Sequence, residues 1–353
     1  MELRRLESGD AGWVADLLTE WRPDEPTDPE VLLYEWTHRW SGWFRERFAV
    51  LDAGRPVGYA ACHHPGWERE PERFGRFLVR LPARHSGLGG ELLRFLERRL
   101  AEEGARRLRT ECYEDERWLR EELERRGYRG VRVERAWELD LDRHRERLLA
   151  LTEQARARVA GLVRLVTLAE AGEVWGPLTQ LFNETEQDIP HSLPVHPDSE
   201  EEVREQMQAP HLRPERVWLA VAGGRPVGVP AKPQVSWGVP VGVPAKPQVS
   251  WGVPVGVPAK PEVSAGVPVA ASYLAYPPLR GNVWTDYTCC ARSHRGLGIA
   301  RAVKMETIAQ AIELGVRRIR TQNDASNAAI LHINETLGYE PISGVVEYVR
   351  EVA

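Results

Sequence analysis

Short apolar runs on either side of a Gly-Arg-Pro triplet form the clearest pattern along the chain. RFAVLDAGRPVGYAAC (47–62) and RVWLAVAGGRPVG (216–228) both predict a strand, a tight turn and a second strand. Each half also opens alike, with LRRLESGDAGWVADLL from residue 3 and VRLVTLAEAGEVWGPL from residue 163 reading as a short strand followed by a helix. Helical spacing then appears behind a pair of glycines, in GLGGELLRFLERRLAEEG (87–104) and again in HRGLGIARAVKMETIAQAIELG (294–315). Finally a strand (ARRLRTECY; VRRIRTQN), a short helix and a Gly-Tyr pair (Gly127-Tyr128; Gly338-Tyr339) close each half. Five matches in the same order predict two copies of one α/β (α+β) unit, each a mixed sheet flanked by helices. The expected division is 1–142, a polar helical linker at 143–161, and 162–353.

The second copy is interrupted. Residues 228–269 are three units of fourteen, twice GVPAKPQVSWGVPV and once GVPAKPEVSAGVPV. The first copy passes directly from GRPVG into YAAC, so this insertion of about 229–268 is expected to break what should be one strand, between Gly228 and Val269. Three prolines per unit remove ladder donors and fix φ, which predicts an extended, polyproline-like excursion rather than a central strand. A surface insertion produced by duplication explains it most simply, and a partner-binding arm presenting Trp237 and Trp251 is the functional alternative. The stripe Trp36, Trp40, Trp43 has helical spacing and reads as packing.

The 353 residues carry 47 basic and 52 acidic side chains, a net charge of −5, so no global field favours nucleic acid or an anionic membrane. Arginines in LERRLAEEGARRLRTECYEDERWLREELERRG alternate with acids and predict a solvated, ion-paired helix face. The start of the chain has no signal-like apolar core and no run of eighteen apolar residues occurs, giving the expectation of a soluble, cytoplasmic protein. Cys62, Cys112, Cys289 and Cys290 lack metal-site spacing, and no metal is expected.

The glycine pairs carry the chemistry. A helix starting at a strand's end presents unpaired N–H groups and a positive dipole end, and glycine lets a bulky diphosphate approach. No Gly-x-x-x-x-Gly-Lys-Ser/Thr occurs, and Arg301 stands where the dinucleotide fingerprint wants Gly or Ala. RGLGIA (295–300) resembles the [Q/R]-x-x-G-x-[G/A] signature of the GNAT superfamily of N-acetyltransferases. TDYTCCARSHRGLGIARAVK and RIRTQNDASNAAILHINETLGYE are similar to the flanking strands and helices of that family. The tandem arrangement resembles that of mycothiol synthase.

The resemblance implies acetyl-CoA as acyl donor. Arg295, Gly296, Leu297, Gly298, Ile299 and Ala300 would form the pyrophosphate loop, with Arg301 and Lys304 near enough to meet phosphate charge. Asn323 and Asn327 would contact the pantetheine arm. Cys290 would supply a backbone N–H to the thioester carbonyl, and Asp286 would act as general base, directly or through water. In the first copy Arg84, Gly87 and Gly89 keep the register, but its strand RFGRFLVRLPARH has no carboxylate, so this copy is expected to be degenerate. Many relatives carry a tyrosine four residues before the final glycine; here Asn334 and Leu123 stand there, and Tyr287 or water would protonate the leaving thiolate. Glu184, Glu186 and Asp188, in the loop expected to choose the acceptor, would attract a cationic amine.

These expectations add up to an acetyl-CoA-dependent N-acetyltransferase acting on a primary amine of a small molecule by direct transfer in the second copy, as a monomer or homodimer. The alternative is a catalytically silent acyl-CoA-binding protein with a Pro-rich interaction arm.

Overall fold

A computed structural model describes residues 2–37, 44–64, 73–81, 87–190, 195–223 and 266–352. The first copy runs β1 (Glu2–Arg5), α1 (Ala11–Trp21), α2 (Pro29–Thr37), β2 (Phe44–Asp52), β3 (Arg55–His64), β4 (Phe74–Arg80), α3 (Leu88–Glu102), β5 (Arg107–Tyr113), α4 (Arg117–Arg125) and β6 (Arg129–Asp140). Helix α5 (Leu141–Val159) connects it to the second. That copy runs β7 (Arg164–Thr167), α6 (Leu168–Ala171), α7 (Trp175–Glu186), α8 (Glu200–Gln206), β8 (Val217–Ala222), β9 (Val267–Ala275), β10 (Val283–Cys290), α9 (Ile299–Glu313), β11 (Arg318–Asp324), α10 (Ala328–Leu337) and β12 (Glu340–Glu351).

All twelve strands join one mixed sheet, in the order β1-β2-β3-β4-β5-β12-β6-β11-β10-β9-β8-β7. The final strands are exchanged. β6 lies antiparallel to β11, from Arg318↔Asp140 to Asp324↔Glu134, while β12 lies antiparallel to β5, from Val345↔Tyr113 to Glu351↔Arg107. Their side chains follow them across. Trp137 and Leu139 pack in the core of the second copy, and Val346 and Tyr348 in that of the first. A second tie is polar: Asp28 caps α2 through Glu30 and Val31 N–H and also accepts from Leu279 N (2.7 Å) and Arg280 N (2.9 Å).

This exchange makes a test. Leu139 belongs to the first half by sequence but is fully buried in the second core. Leu139→Ala is expected to cost about 2–5 kcal/mol by chemical denaturation, and to speed hydrogen exchange in β11 rather than in β2 or β3.

β8 and β9 are paired as far as Ala222↔Val267, and the expected exit of the insertion at Gly228 lies outside the described residues. Gly-Val-Pro-Val of the third repeat unit supplies the start of β9, with Pro268 opposite Val221 beside an irregularity, as Pro56 stands opposite Leu51 in the first copy. A proline missing its ladder donor is tolerated at such a strand start. The rest of the repeats, with Trp237 and Trp251, lies outside the described residues, as do Trp40, Trp43 and Arg84. Trp36 is buried and stacks on Tyr59.

Candidate functional site

β10 and β11 are parallel neighbours for only three pairs, from Val283↔Ile319 to Thr285↔Thr321, although they run on to Cys290 and Asp324. Beyond that point the sheet opens. On its other side β10 stays paired with β9 to Cys290↔Ala270, with the register shifting between Thr285 and Tyr287. Asp286 is the bulged residue, and it is exposed. A bulge of this kind bends a strand and re-aims its side chains. Ala291 N–H bonds Val269 O at 2.8 Å. Because successive N–H groups of a strand point to opposite sides, that of Cys290 faces the gap left by β11.

A short 3₁₀ turn (Arg292–His294) carries the chain from β10 into α9. Gly298 caps the helix at φ +88° and Gly296 sits at φ +77°, both in the left-handed region where a side chain is strained. The first N–H groups of α9 therefore start from a bare backbone at the mouth of the gap, an anion seat by construction. Arg295 donates from Nε to Cys290 O (3.1 Å) and pairs with Asp188. Arg292 pairs with Asp188 at 2.6 Å, and its N–H bonds Glu184 at 2.7 Å. Hydrogen bonds from Arg292 and Arg295 hold the Asp188 carboxyl at about 2. Of the three acids expected to attract an amine, two thus bind the β10–α9 loop to the end of α7. The third, Glu186, accepts from the Tyr287 hydroxyl at 3.2 Å, and Thr185 Oγ1 lies 3.0 Å from the same oxygen. Burial raises the Tyr287 pKa, which makes it a poorer acid for a leaving thiolate.

On the β11 side, Asn327 caps α10 through Ile330 N–H at 3.4 Å. Asn323 accepts instead from Asn334, whose own oxygen accepts from Lys304. Lys304 was expected near phosphate charge, but it is 1% exposed and points inward. The reason is that α9 is enclosed between the sheet and α5, so even its polar positions, Lys304, Glu306 and Thr307, are buried.

Residues 11–128 match the acetyltransferase (GNAT) family. No curated protein matches the sequence. A solved tandem GNAT protein from the clavulanic acid biosynthesis pathway is similar over 99% of this chain and 98% of its own, at 16% identity and a TM-score of 0.66. The chain is a tandem GNAT-fold protein. A GCN5-related N-acetyltransferase from Sphaerobacter thermophilus (17% identity, TM-score 0.61, 99% of this chain and 95% of that one) has the same fold. So has a GNAT-family acetyltransferase from Colwellia psychrerythraea (10%, 0.53, 99% and 100%). The fold is that of acyl-CoA-dependent N-acetyltransferases, which bind acetyl-CoA and act on acceptors such as amines. No helix among the described residues is long and apolar enough to cross a membrane.

The two glycine loops of this tandem GNAT-fold protein differ in their surroundings. β4 and β5 also part after three pairs, Phe74↔Arg107 to Arg76↔Arg109, but no bulge interrupts the described β3–β4 pairing. Arg80 reaches across that parting to Glu111 (3.6 Å), and Arg22 lies over the Tyr113 ring at 3.9 Å. Gly87 caps α3 at φ +89°, while a Cβ on Gly89 would stand 2.9 Å from the Trp118 ring.

In the second copy the neighbour of the loop is Arg158, from α5: a Cβ on Gly298 would meet its Nε at 2.8 Å, and that Nε bonds Leu297 O at 3.2 Å. Sequence reading missed Arg158. It stands in a segment read as a linker, and no local spacing ties it to a loop 139 residues later.

Proposed function

We propose that this protein transfers an acetyl group from acetyl-CoA to a primary amine of a small molecule, and that the second copy does the chemistry. One observation carries the reading: the gap between β10 and β11 has a bulged carboxylate (Asp286) and an inward N–H (Cys290) along one strand, and ends at the bare helix start of Gly298. The first copy, bridged by Arg80 and Glu111, keeps a structural part.

In this reading the N–H groups at the start of α9 hold the diphosphate, and Arg158 supplies positive charge beside them. The Cys290 N–H donates to the thioester oxygen, where negative charge grows during attack, an effect worth about 3 kcal/mol. Asp286 takes the proton from the incoming ammonium, directly or through water. The amine nitrogen bonds to the acetyl carbon, the carbon–sulfur bond breaks, and the thiolate, a good leaving group, takes up through water the second proton that the nitrogen sheds as it becomes an amide. The Cys290 thiol is buried against His294 O and its pKa is raised, so it offers no thiolate to attack the ester.

Calorimetric titration with acetyl-CoA, followed by release of CoA thiol with a panel of amines, tests the proposal. Saturable binding with turnover supports it. Binding without turnover by any amine would leave a silent acyl-CoA-binding protein, and no binding at millimolar ligand would remove both readings. Arg158→Ala is expected to weaken acetyl-CoA binding roughly tenfold, the loss of one charge-assisted hydrogen bond, with little change in melting temperature because the side chain is exposed.

A further inference from the structure

A fully buried lysine without an acid beside it calls for a reason. Lys304 Nζ has Asn334 Oδ1 at 3.0 Å and the Tyr339 ring at 5.2 Å. Asn334 is itself fully buried and donates to Asn323 Oδ1 at 2.7 Å. Asn323 is only part-buried and stands on β11 just past Thr321, the last residue paired with β10. The chain of contacts therefore runs from the core of the second copy to the place where the sheet opens.

The first copy provides an internal comparison. Lys304 follows its helix-capping glycine, Gly298, by six residues, and Leu93 follows Gly87 by six. Asn334 precedes Gly338 by four, as Leu123 precedes Gly127. Asn323 is the sixth residue of β11, and Cys112 the sixth of β5. Leu93, Leu123 and Cys112 are all fully buried in one apolar cluster. The same fold thus closes with three apolar residues where the second copy keeps a cation and two amides, an arrangement that burial makes costly.

Donor and acceptor rules fix its direction. An ammonium only donates, so it must face the oxygen of Asn334; the Asn334 nitrogen must then donate to Asn323, which turns the oxygen of Asn323 inward. Among the described residues no partner takes up the Asn323 nitrogen. We propose that Lys304 is a positioning residue, setting both carboxamides so that Asn323 presents N–H donors to a carbonyl oxygen of the acyl-CoA arm in the gap. The proposal rests on the acetyl-CoA reading and goes beyond it in assigning a role to a residue that touches no substrate.

Charge makes the device pH-sensitive. From α5, Arg156 pairs with Glu306, on the opposite side of α9 from Lys304. From β6, Arg132 takes Asp324, at the end of β11. Among the described residues, α10 offers Lys304 the Asn334 amide, which Asn323 of β11 backs, and the turn before β12 offers the Tyr339 ring. Nothing offsets burial, which brings Lys304 down to about 7. Above that pH the neutral amine can accept as well as donate, and the carboxamides are no longer held one way round. Unfolded, the lysine titrates at 10.5, so unfolding takes up a proton between these values. The cation therefore costs stability most below pH 7.

The test is calorimetric titration of the full chain with acetyl-CoA at pH 6 and pH 8.5, for wild type, Lys304→Met and Asn334→Leu. At pH 6 each variant is expected to bind roughly tenfold more weakly, and at pH 8.5 the ratio of variant to wild-type Kd should approach one for Lys304→Met. Reading the ratio cancels the titration of the ligand's own phosphate. KM for acetyl-CoA should rise with kcat little changed, and Lys304→Met should melt at the same or a higher temperature at pH 6. Unchanged binding in either variant overturns the proposal alone, as does weaker binding accompanied by a lower melting temperature, which would assign Lys304 to the fold. Absence of binding by wild type overturns the acetyl-CoA reading and this proposal with it.

Discussion

Gly298→Val is expected to weaken acetyl-CoA binding about 10²-fold or more while leaving the protein folded. At φ +88° the backbone is where β-branched residues are least tolerated, a strain of about 1–2 kcal/mol. The new Cβ would stand 2.8 Å from Arg158 Nε, so the arginine must swing away or the loop must shift. Either movement disturbs the N–H groups at the start of α9. Losing two charge-assisted hydrogen bonds there, at about 1.5–3 kcal/mol each, lowers affinity about 10²-fold or more. Gly296→Ala is the control, because a Cβ there meets nothing within 4 Å and only the backbone strain at φ +77° remains. Calorimetry on both variants, with melting curves alongside, checks the prediction. Equal and slight effects at the two positions would mean that the loop is only a helix start.

Asp286→Asn is expected to lower kcat about 10²-fold with KM for acetyl-CoA nearly unchanged. Asn keeps the shape and the bulge but cannot take a proton from an ammonium. The bulge between Thr285 and Tyr287 is what turns this residue out of the β9–β10 ladder. Single-turnover release of CoA thiol, measured against amine pH, separates the two possibilities. If raising the pH until the amine is already neutral restores the rate of the variant, Asp286 is the base; an undiminished rate at neutral pH would remove it from the mechanism.

Much of the architecture was legible because it is local. Gly-Arg-Pro turns, glycine-capped helices and Gly-Tyr closures repeat in order, and each depends on neighbours in the chain; the mixed sheets with flanking helices follow from them. The exchange of β6 and β12 was not legible. Both strands suit the same slot, and nothing within either says which β-strand it will lie against. The site divided in the same way. The motif marked where α9 starts, but Arg158 comes from a helix that looked like a tether, and the pairing of Asp188 with Arg292 and Arg295 depends on how far α7 extends. The resemblance puts Lys304 near phosphate charge, but the cover that α5 lays over α9 makes it a core residue.

The exchanged strands also set a timetable for synthesis. Two hundred residues separate Asp140 from Glu340, a delay on the order of tens of seconds on the ribosome. During that interval the free edge of β5 has no β12, and the strand nearest to hand is β6. An early first half that took β6 onto that edge would have to release it to β11 later, because the finished sheet has β12 between β5 and β6.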